Sequence, residues 1–199
     1  MKPFLVLMFL SYLLGSIPTG LLVARLLGGP DPRTVGSRNL GTANLYRLLG
    51  LKAGLITFLG DAGKGALPAV LGVYWLTPLG PWQETGVAAV GIAAVLGHIF
   101  PLYLGFKGGK GVATTFGVVA GLAPWAALNL ALVYVLALTQ TRIFSAAALI
   151  AAWFLPLAVG LFSTSKAYLF LAGVLSGLIL ICHRKNLERI FRGEEPRVW

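Results

Sequence analysis

Val112-Ala113-Thr114-Thr115-Phe116-Gly117-Val118-Val119-Ala120-Gly121-Leu122-Ala123-Pro124-Trp125, continuing as AALNLALVYVLALT to Thr139, is the stretch whose reading decides the fold. It holds 28 residues, with Gly121 to Trp125 in the middle. One crossing of a bilayer takes about 20 apolar residues and two take roughly 40, so the stretch is long for one and short for two. The flanking charges choose between them, because cytoplasmic loops carry the excess of Lys and Arg. Downstream come Arg142, an apolar run from Ile143 to Phe162, the link Ser163-Thr164-Ser165-Lys166, a run from Ala167 to Cys182, and a tail with Arg184, Lys185, Arg189 and Arg192. Upstream lie apolar runs over Pro3–Leu27, Ala53–Leu76 and Gly86–Leu104. A polar segment from Gly28 to Lys52 with Arg33, Arg38, Arg47 and Lys52 separates the first two, and a link from Thr77 to Thr85 without Lys or Arg separates the next. A single crossing gives six spans and leaves the basic tail outside. A double crossing gives seven and puts Arg142 and the tail inside with the other basic loops. The expectation is an all-α integral membrane protein of seven transmembrane helices, the fourth and fifth short, tilted or partly re-entrant, with an external start carrying only Lys2.

Composition agrees with this class. Of 199 residues 57% are hydrophobic and only 11% charged, more apolar matter than a soluble core of this size hides. The net charge of +10 sits between and after the apolar runs, where it sets topology and attracts anionic lipid or phosphorylated ligands rather than nucleic acid. Cys182, the single cysteine, has no disulfide or metal partner and reads as packing. The first apolar run is too long for a signal peptide and is expected to remain as the first span, interrupted at Gly15-Ser16-Ile17-Pro18-Thr19-Gly20. Residues 1–199 read as one domain without repeats. Asp61 and Lys64 fall within the second span, three apart on one helical face, and are expected to pair. Trp82 marks an external interface. The GxxxG matches at Gly117–Gly121 and Gly173–Gly177 are expected to serve packing within the chain.

Polar chemistry concentrates in Gly97-His98-Ile99-Phe100-Pro101-Leu102-Tyr103-Leu104-Gly105-Phe106-Lys107-Gly108-Gly109-Lys110-Gly111. Two lysines three apart, with glycines between and after, let the backbone turn N–H groups toward an anion that the ammonium groups also attract. This is a phosphate seat, and it is not a nucleotide P-loop, which requires Gly at Leu104 and Ser or Thr at Gly111. In the seven-span topology it shares the cytoplasmic face with three other clusters. These are Gly36-Ser37-Arg38-Asn39-Leu40-Gly41-Thr42-Ala43-Asn44 with Arg47, then Arg142 with Ser145, and His183 to Arg189. They supply the hydroxyl, amide and guanidinium donors that suit phosphate oxygens. The two histidines, His98 and His183, stand at the boundary beside basic clusters, placed for proton transfer or hydrogen bonding to a ligand. No His/Cys/carboxylate spacing suits a metal, and no nucleophile elbow accompanies Ser37, Ser145 or Asp61.

GSRNLGTAN, then GHIFPLYLGFKGGKGVAT, then HRKNLERI after the last span resemble the bacterial acyl-phosphate:glycerol-3-phosphate acyltransferases, the PlsY family. The resemblance extends over the whole chain, including DAGKG at Asp61 and the span from Arg142 to Ser145. It implies an inner-membrane enzyme that moves an acyl group from acyl phosphate to the 1-hydroxyl of glycerol 3-phosphate, giving lysophosphatidic acid and inorganic phosphate. It implies no cofactor, metal, acyl-CoA or acyl carrier protein. Carried over by motif position, Ser37, Lys107, His183 and Asn186 are catalytic candidates. Asn39, Arg47, His98, Gly108, Gly109, Lys110 and Ser145 are substrate-binding candidates. Family members are thought to work without a side-chain nucleophile, the substrate phosphate taking the attacking proton. One departure stands in the first motif, where Arg38 replaces a glycine and must accept that glycine's backbone geometry.

The physics runs parallel to the resemblance. An acyl phosphate is an activated mixed anhydride, so the protein need mainly orient the hydroxyl and neutralise the leaving phosphate, with the acyl chain among apolar helices. A transporter for a phosphorylated anion is the rival, and it needs its charges near the midplane. Here only Asp61 and Lys64 are placed at depth.

Overall fold

The computed structural model of the protein describes residues 2–198; Met1, Trp199 and the side chains of Lys2 and Pro3, with the expectation placed on Lys2, lie outside the described residues. The described chain forms helices α1 (Lys2–Gly15), α2 (Thr19–Leu26), α3 (Thr42–Trp75), α4 (Gln83–Ile99), α5 (Val112–Leu122), α6 (Pro124–Thr141), α7 (Phe144–Phe162), α8 (Lys166–Cys182) and α9 (Arg184–Phe191). Short 3-10 turns cover Thr77–Trp82 and Leu102–Leu104.

Breaks fall where the backbone chemistry puts them. Pro18 lacks an N–H and ends the continuity between α1 and α2, as the interruption at Gly15 to Gly20 suggests. Gly50 adopts φ 80°, ψ −173°, a conformation open to glycine, and divides α3 into segments 42–49 and 51–75. Ala123 leaves helical geometry at φ −143° and Pro124 opens α6 at its first turn, the position proline tolerates best. The deciding stretch is therefore two helices, of 11 and 18 residues. The first is short, as expected. The second is longer than expected because α6 runs on to Thr141, and it is long and apolar enough to cross a membrane.

Phe4–Leu26, Thr77–Leu104 and Phe144–Phe162 also reach that length and apolarity, and α8 with α9 does so across a 58° bend. The helix ends sort to two sides. At one, Gln83 Nε2 donates to the Val73 carbonyl (2.6 Å), Ser165 Oγ donates to Glu84 (2.5 Å), and Phe4 packs near Leu76 and Val87. At the other, Tyr12 Oη donates to the Phe100 carbonyl (2.7 Å), Leu102 N donates to Ser16 Oγ (3.3 Å), and Ser145 Oγ donates to Glu195 (2.7 Å).

The core between α4, α5, α7 and α8 is closed by Val95, Val118, Leu155 and Leu175, while Leu132, Leu136, Trp153 and Phe170 point outward. Small residues bring backbones together. A Cβ on Gly117 would lie 1.9 Å from the Ala62 carbonyl oxygen, and one on Gly121 3.1 Å from Val70. This pair packs within the chain, as expected. Gly173 and Gly177 do not, since a Cβ at either meets nothing within 4 Å. Gly117→Ala is expected to destabilise the purified protein by about 1–3 kcal/mol through overpacking, while Gly173→Ala stays within about 0.5 kcal/mol, as read by thermal melting in detergent.

Candidate active site

The first polar cluster folds around a buried amide. Asn44 Nδ2 donates to the carbonyls of Pro32 (3.0 Å), Val35 (3.3 Å) and Asn39 (2.9 Å), and its Oδ1 accepts from Ser37 N (2.9 Å). Asn39 Oδ1 accepts from Gly41 N (2.8 Å), so this side chain also shapes the loop. Gly36 and Arg38 both take the left-handed conformation, at φ 61° and 55°. Arg38 does hold a glycine-type geometry, at a cost of about 1–2 kcal/mol for an L-residue. Ser37 is exposed above this framework.

Segment 42–49 of α3 then delivers Arg47 to the other clusters. Its Nη2 donates to the Pro196 carbonyl (3.2 Å) and its guanidinium lies 5.5 Å from the centre of the Phe144 ring, with Nε buried and unbonded. From the lysine loop, Lys110 donates to Asn186 Oδ1 at the start of α9. Asn186 Nδ2 donates to Glu195 Oε1 (2.5 Å), Ser145 Oγ donates to the same oxygen (2.7 Å), and Arg189 Nε donates to Oε2 (2.6 Å). Residues from α3, the lysine loop, α7, α9 and the tail thus meet in one hydrogen-bonded group.

No motif in the sequence points to Glu195. It follows Gly193, whose φ of 72° turns the tail back, and Val198 N donates to the Arg142 carbonyl (2.8 Å) to close the return. A pair of glutamates, Glu194 and Glu195, following a glycine in a basic tail is the only signal the sequence carries. Asn44 was in view as part of a motif, but its role as the buried hub was not.

His183 stands at the α8–α9 junction, buried, with Nδ1 2.8 Å from the Ile179 carbonyl. A carbonyl only accepts, so Nδ1 carries the proton and neutral Nε2 presents a lone pair. Burial pushes the His183 imidazole down to about 4, with the Lys110 charge adding to it. Burial also pushes the Lys110 ammonium down to about 8; Glu195 opposes this, and Arg189 and Arg47 add to it. Burial acts to raise the Glu195 carboxyl, but hydrogen bonds from Arg189, Ser145 and Asn186 hold it below the ordinary value.

Two expected site groups sit elsewhere. The N–H groups of Gly108 and Gly109 donate to the carbonyls of Ile99 (3.1 Å) and His98 (3.0 Å), so they do not point at an anion. These glycines serve close packing: a Cβ on Gly109 would lie 2.1 Å from His98 Nε2. His98 turns into the bundle, its Nδ1 3.4 Å from Asp61, rather than joining Asn186 and Glu195. Lys107 is exposed, and among the described residues no hydrogen bond or ion pair holds its ammonium.

The fold matches the crystal structure of PlsY, an integral membrane glycerol 3-phosphate acyltransferase, in its glycerol 3-phosphate form, with a TM-score of 0.90, 38% identity, and coverage of 98% of this chain and 95% of that one. The lysophosphatidic acid form of PlsY gives a TM-score of 0.89 at 37% identity, covering 98% and 95%. The glycerol-3-phosphate acyltransferase of Myxococcus xanthus is 46% identical over 194 residues, covering 96% of this chain and 97% of its own. That of Geobacter sulfurreducens is 42% identical over 193 residues, covering 97% and 96%. The glycerol-3-phosphate acyltransferase family model matches residues 5–193, and the chain belongs to that family.

The Lys110 proton gives a pH test. The folded protein loses it near pH 8, below the ordinary 10.5 of lysine, so kcat/KM for glycerol 3-phosphate should fall as pH rises through about 8. Lys110→Arg, which keeps its charge, should flatten that limb in steady-state profiles. Glu195→Ala should lower kcat/KM by about 10²-fold, because misplacing Asn186 and Ser145 by an ångström has that scale of effect.

Proposed function

We propose that the protein transfers an acyl group from acyl phosphate to the 1-hydroxyl of glycerol 3-phosphate, giving lysophosphatidic acid and inorganic phosphate in the first acylation of phospholipid synthesis. The observation that carries this reading is the convergence of Arg47, Lys110, Ser145, Asn186 and Arg189 around Glu195 at one end of an apolar bundle. Glu195 offsets one positive charge among three cations, leaving a site that remains attractive to phosphate. Arg47 Nε, buried and unbonded, is a donor still to be satisfied. Exposed Lys107 and Ser37 border this end of the bundle and supply further donors.

In the reaction the 1-hydroxyl oxygen attacks the acyl carbonyl carbon, the carbon–oxygen bond to phosphate breaks, and phosphate leaves with the electron pair. Cations and the Asn186 and Ser145 groups stabilise that leaving charge, the part of the barrier that fixed donors lower most. His183 Nε2 accepts a hydrogen bond from a substrate hydroxyl and holds it in line. With an imidazole at about 4 it is too weak a base to keep the proton at neutral pH, so the proton passes to substrate phosphate. No side-chain nucleophile is required.

The reading extends to topology. Residues 1–199 act as one polytopic domain with seven crossings, formed by α1 with α2, α3, α4, α5, α6, α7 and α8. Lys110 before α5 and Ser145 in α7 meet at the same group, which supports an outward and a returning helix between them. The site faces the cytoplasm, because Arg33, Arg38, Lys52, Arg142 and Lys185 lie in or beside the polar segments that carry it, and the opposite end with Trp82 faces outward across a bacterial inner membrane.

Phosphate release by the purified protein with palmitoyl phosphate should depend on added glycerol 3-phosphate and yield lysophosphatidic acid. Lys107→Ala should lower turnover by about 10²–10³-fold while leaving folded protein in the membrane, since one lost charge-stabilising donor has that effect. Phosphate release without dependence on glycerol 3-phosphate would contradict the assignment.

A further inference from the structure

Outside the phosphate-binding group, the polar cluster that remains unaccounted for is Asp61-Ala62-Gly63-Lys64-Gly65 in α3. Asp61 stands eleven residues beyond Gly50, about 16 Å into the helix at 1.5 Å per residue. Its carboxylate is 2% exposed and Lys64 is 6% exposed. Lys64 Nζ lies 2.7 Å from Asp61 Oδ1 and also donates to the Ile17 carbonyl (2.8 Å), freed by the break between α1 and α2. His98, on the last turn of α4, approaches the same Asp61 oxygen with Nδ1 at 3.4 Å.

The far side of His98 grips the lysine loop. Its carbonyl accepts from Gly109 N (3.0 Å), and its ring fills the space a Gly109 side chain would take. A Cβ on Gly108 would lie 2.2 Å from the His98 carbonyl oxygen and 2.4 Å from Pro101. The other end of the loop rests on the same turn of α3, since a Cβ on Gly65 would lie 2.2 Å from the carbonyl oxygen of Thr114 in the first turn of α5. The Asp61–Gly65 turn therefore anchors both sides of the segment that carries Lys107 and Lys110. Burying these charges opposes folding unless the arrangement they fix is worth having, and simple helix packing needs no charge at all.

We propose that Asp61, Lys64 and His98 are positioning residues, a buried polar network built on the Asp61–Lys64 ion pair that sets the Gly108-Gly109 turn and thereby aims Lys107 and Lys110 at phosphate. None of the three is hydrogen-bonded to Arg47, Ser145, Asn186 or Glu195, so the effect travels through the loop backbone. The inference rests on the reading of the lysine loop as the phosphate seat.

The test compares Asp61→Asn/Lys64→Met, which leaves neither buried charge unpaired, with Asp61→Asn alone and with Lys107→Ala. Folding is followed by thermal melting and gel filtration, and turnover is separated into kcat and KM for glycerol 3-phosphate. Tryptic cleavage after Lys107 is located by mass spectrometry. The double variant is expected to fold, to raise KM about tenfold or more, and to be cut after Lys107 faster than wild type. A purely structural network would lower only the amount of folded enzyme. A folded double variant with wild-type kcat, KM and cleavage, beside a lowered kcat or raised KM in Lys107→Ala, would overturn the positioning role alone. Unchanged kcat and KM in Lys107→Ala would instead remove the lysine loop as the phosphate seat, and the positioning role with it.

Discussion

The Glu195 carboxylate is the contact on which the site's assembly depends. Arg47, Lys110 and Arg189 gather near it in a chain of net charge +10, and such a group of cations disperses unless an anion is fixed among them. A hydrogen-bonded carboxylate does this while leaving donors toward the open side. It also joins parts of the chain remote in sequence, because one oxygen accepts from both Ser145 and Asn186 and the other from Arg189. Without the turn at Gly193 the tail could not return to give it.

The bundle supports this end by interruptions rather than by long regular helices. The breaks at Pro18, Gly50 and Ala123-Pro124 free backbone groups and end helices at chosen depths. Lys64 uses one freed carbonyl, at Ile17, and the others let short pieces carry polar residues toward the site. Contacts such as Gly117 on Ala62 and Gly65 on Thr114 then close the helices to distances that larger residues prevent. A phosphate-handling site on a membrane protein needs this combination, since the headgroup chemistry is aqueous and the acyl chain is not.

Much of this was legible in the sequence because the signals were local. The cluster Gly121 to Trp125 marks an interruption, and Pro124 fits the first turn of the helix that follows it, so the stretch divides into two helices there. The Asp61–Lys64 pair followed from spacing alone. What escaped depended on where side chains point after packing. His98 lies beside the lysine loop in sequence, yet its place on the last turn of α4 directs its ring to Asp61. Gly108 and Gly109 read as anion-binding backbone, but tight packing on His98 directs their N–H groups to carbonyls. Glu195 sits in a charged tail beside Glu194, and nothing in the sequence separates the buried glutamate from its neighbour. The length of α6 was misjudged because Gln140 and Thr141 are polar, although the helix continues through them.

The most direct measurement of the central claim is calorimetric titration of glycerol 3-phosphate into the purified protein, repeated with inorganic phosphate present. A seat for the phosphate of glycerol 3-phosphate built from Arg47, Lys107 and Lys110 requires one saturable site for that substrate per chain, weakened competitively by inorganic phosphate and by rising salt. Absence of saturable binding by a folded, monodisperse preparation, or binding indifferent to phosphate, would contradict it.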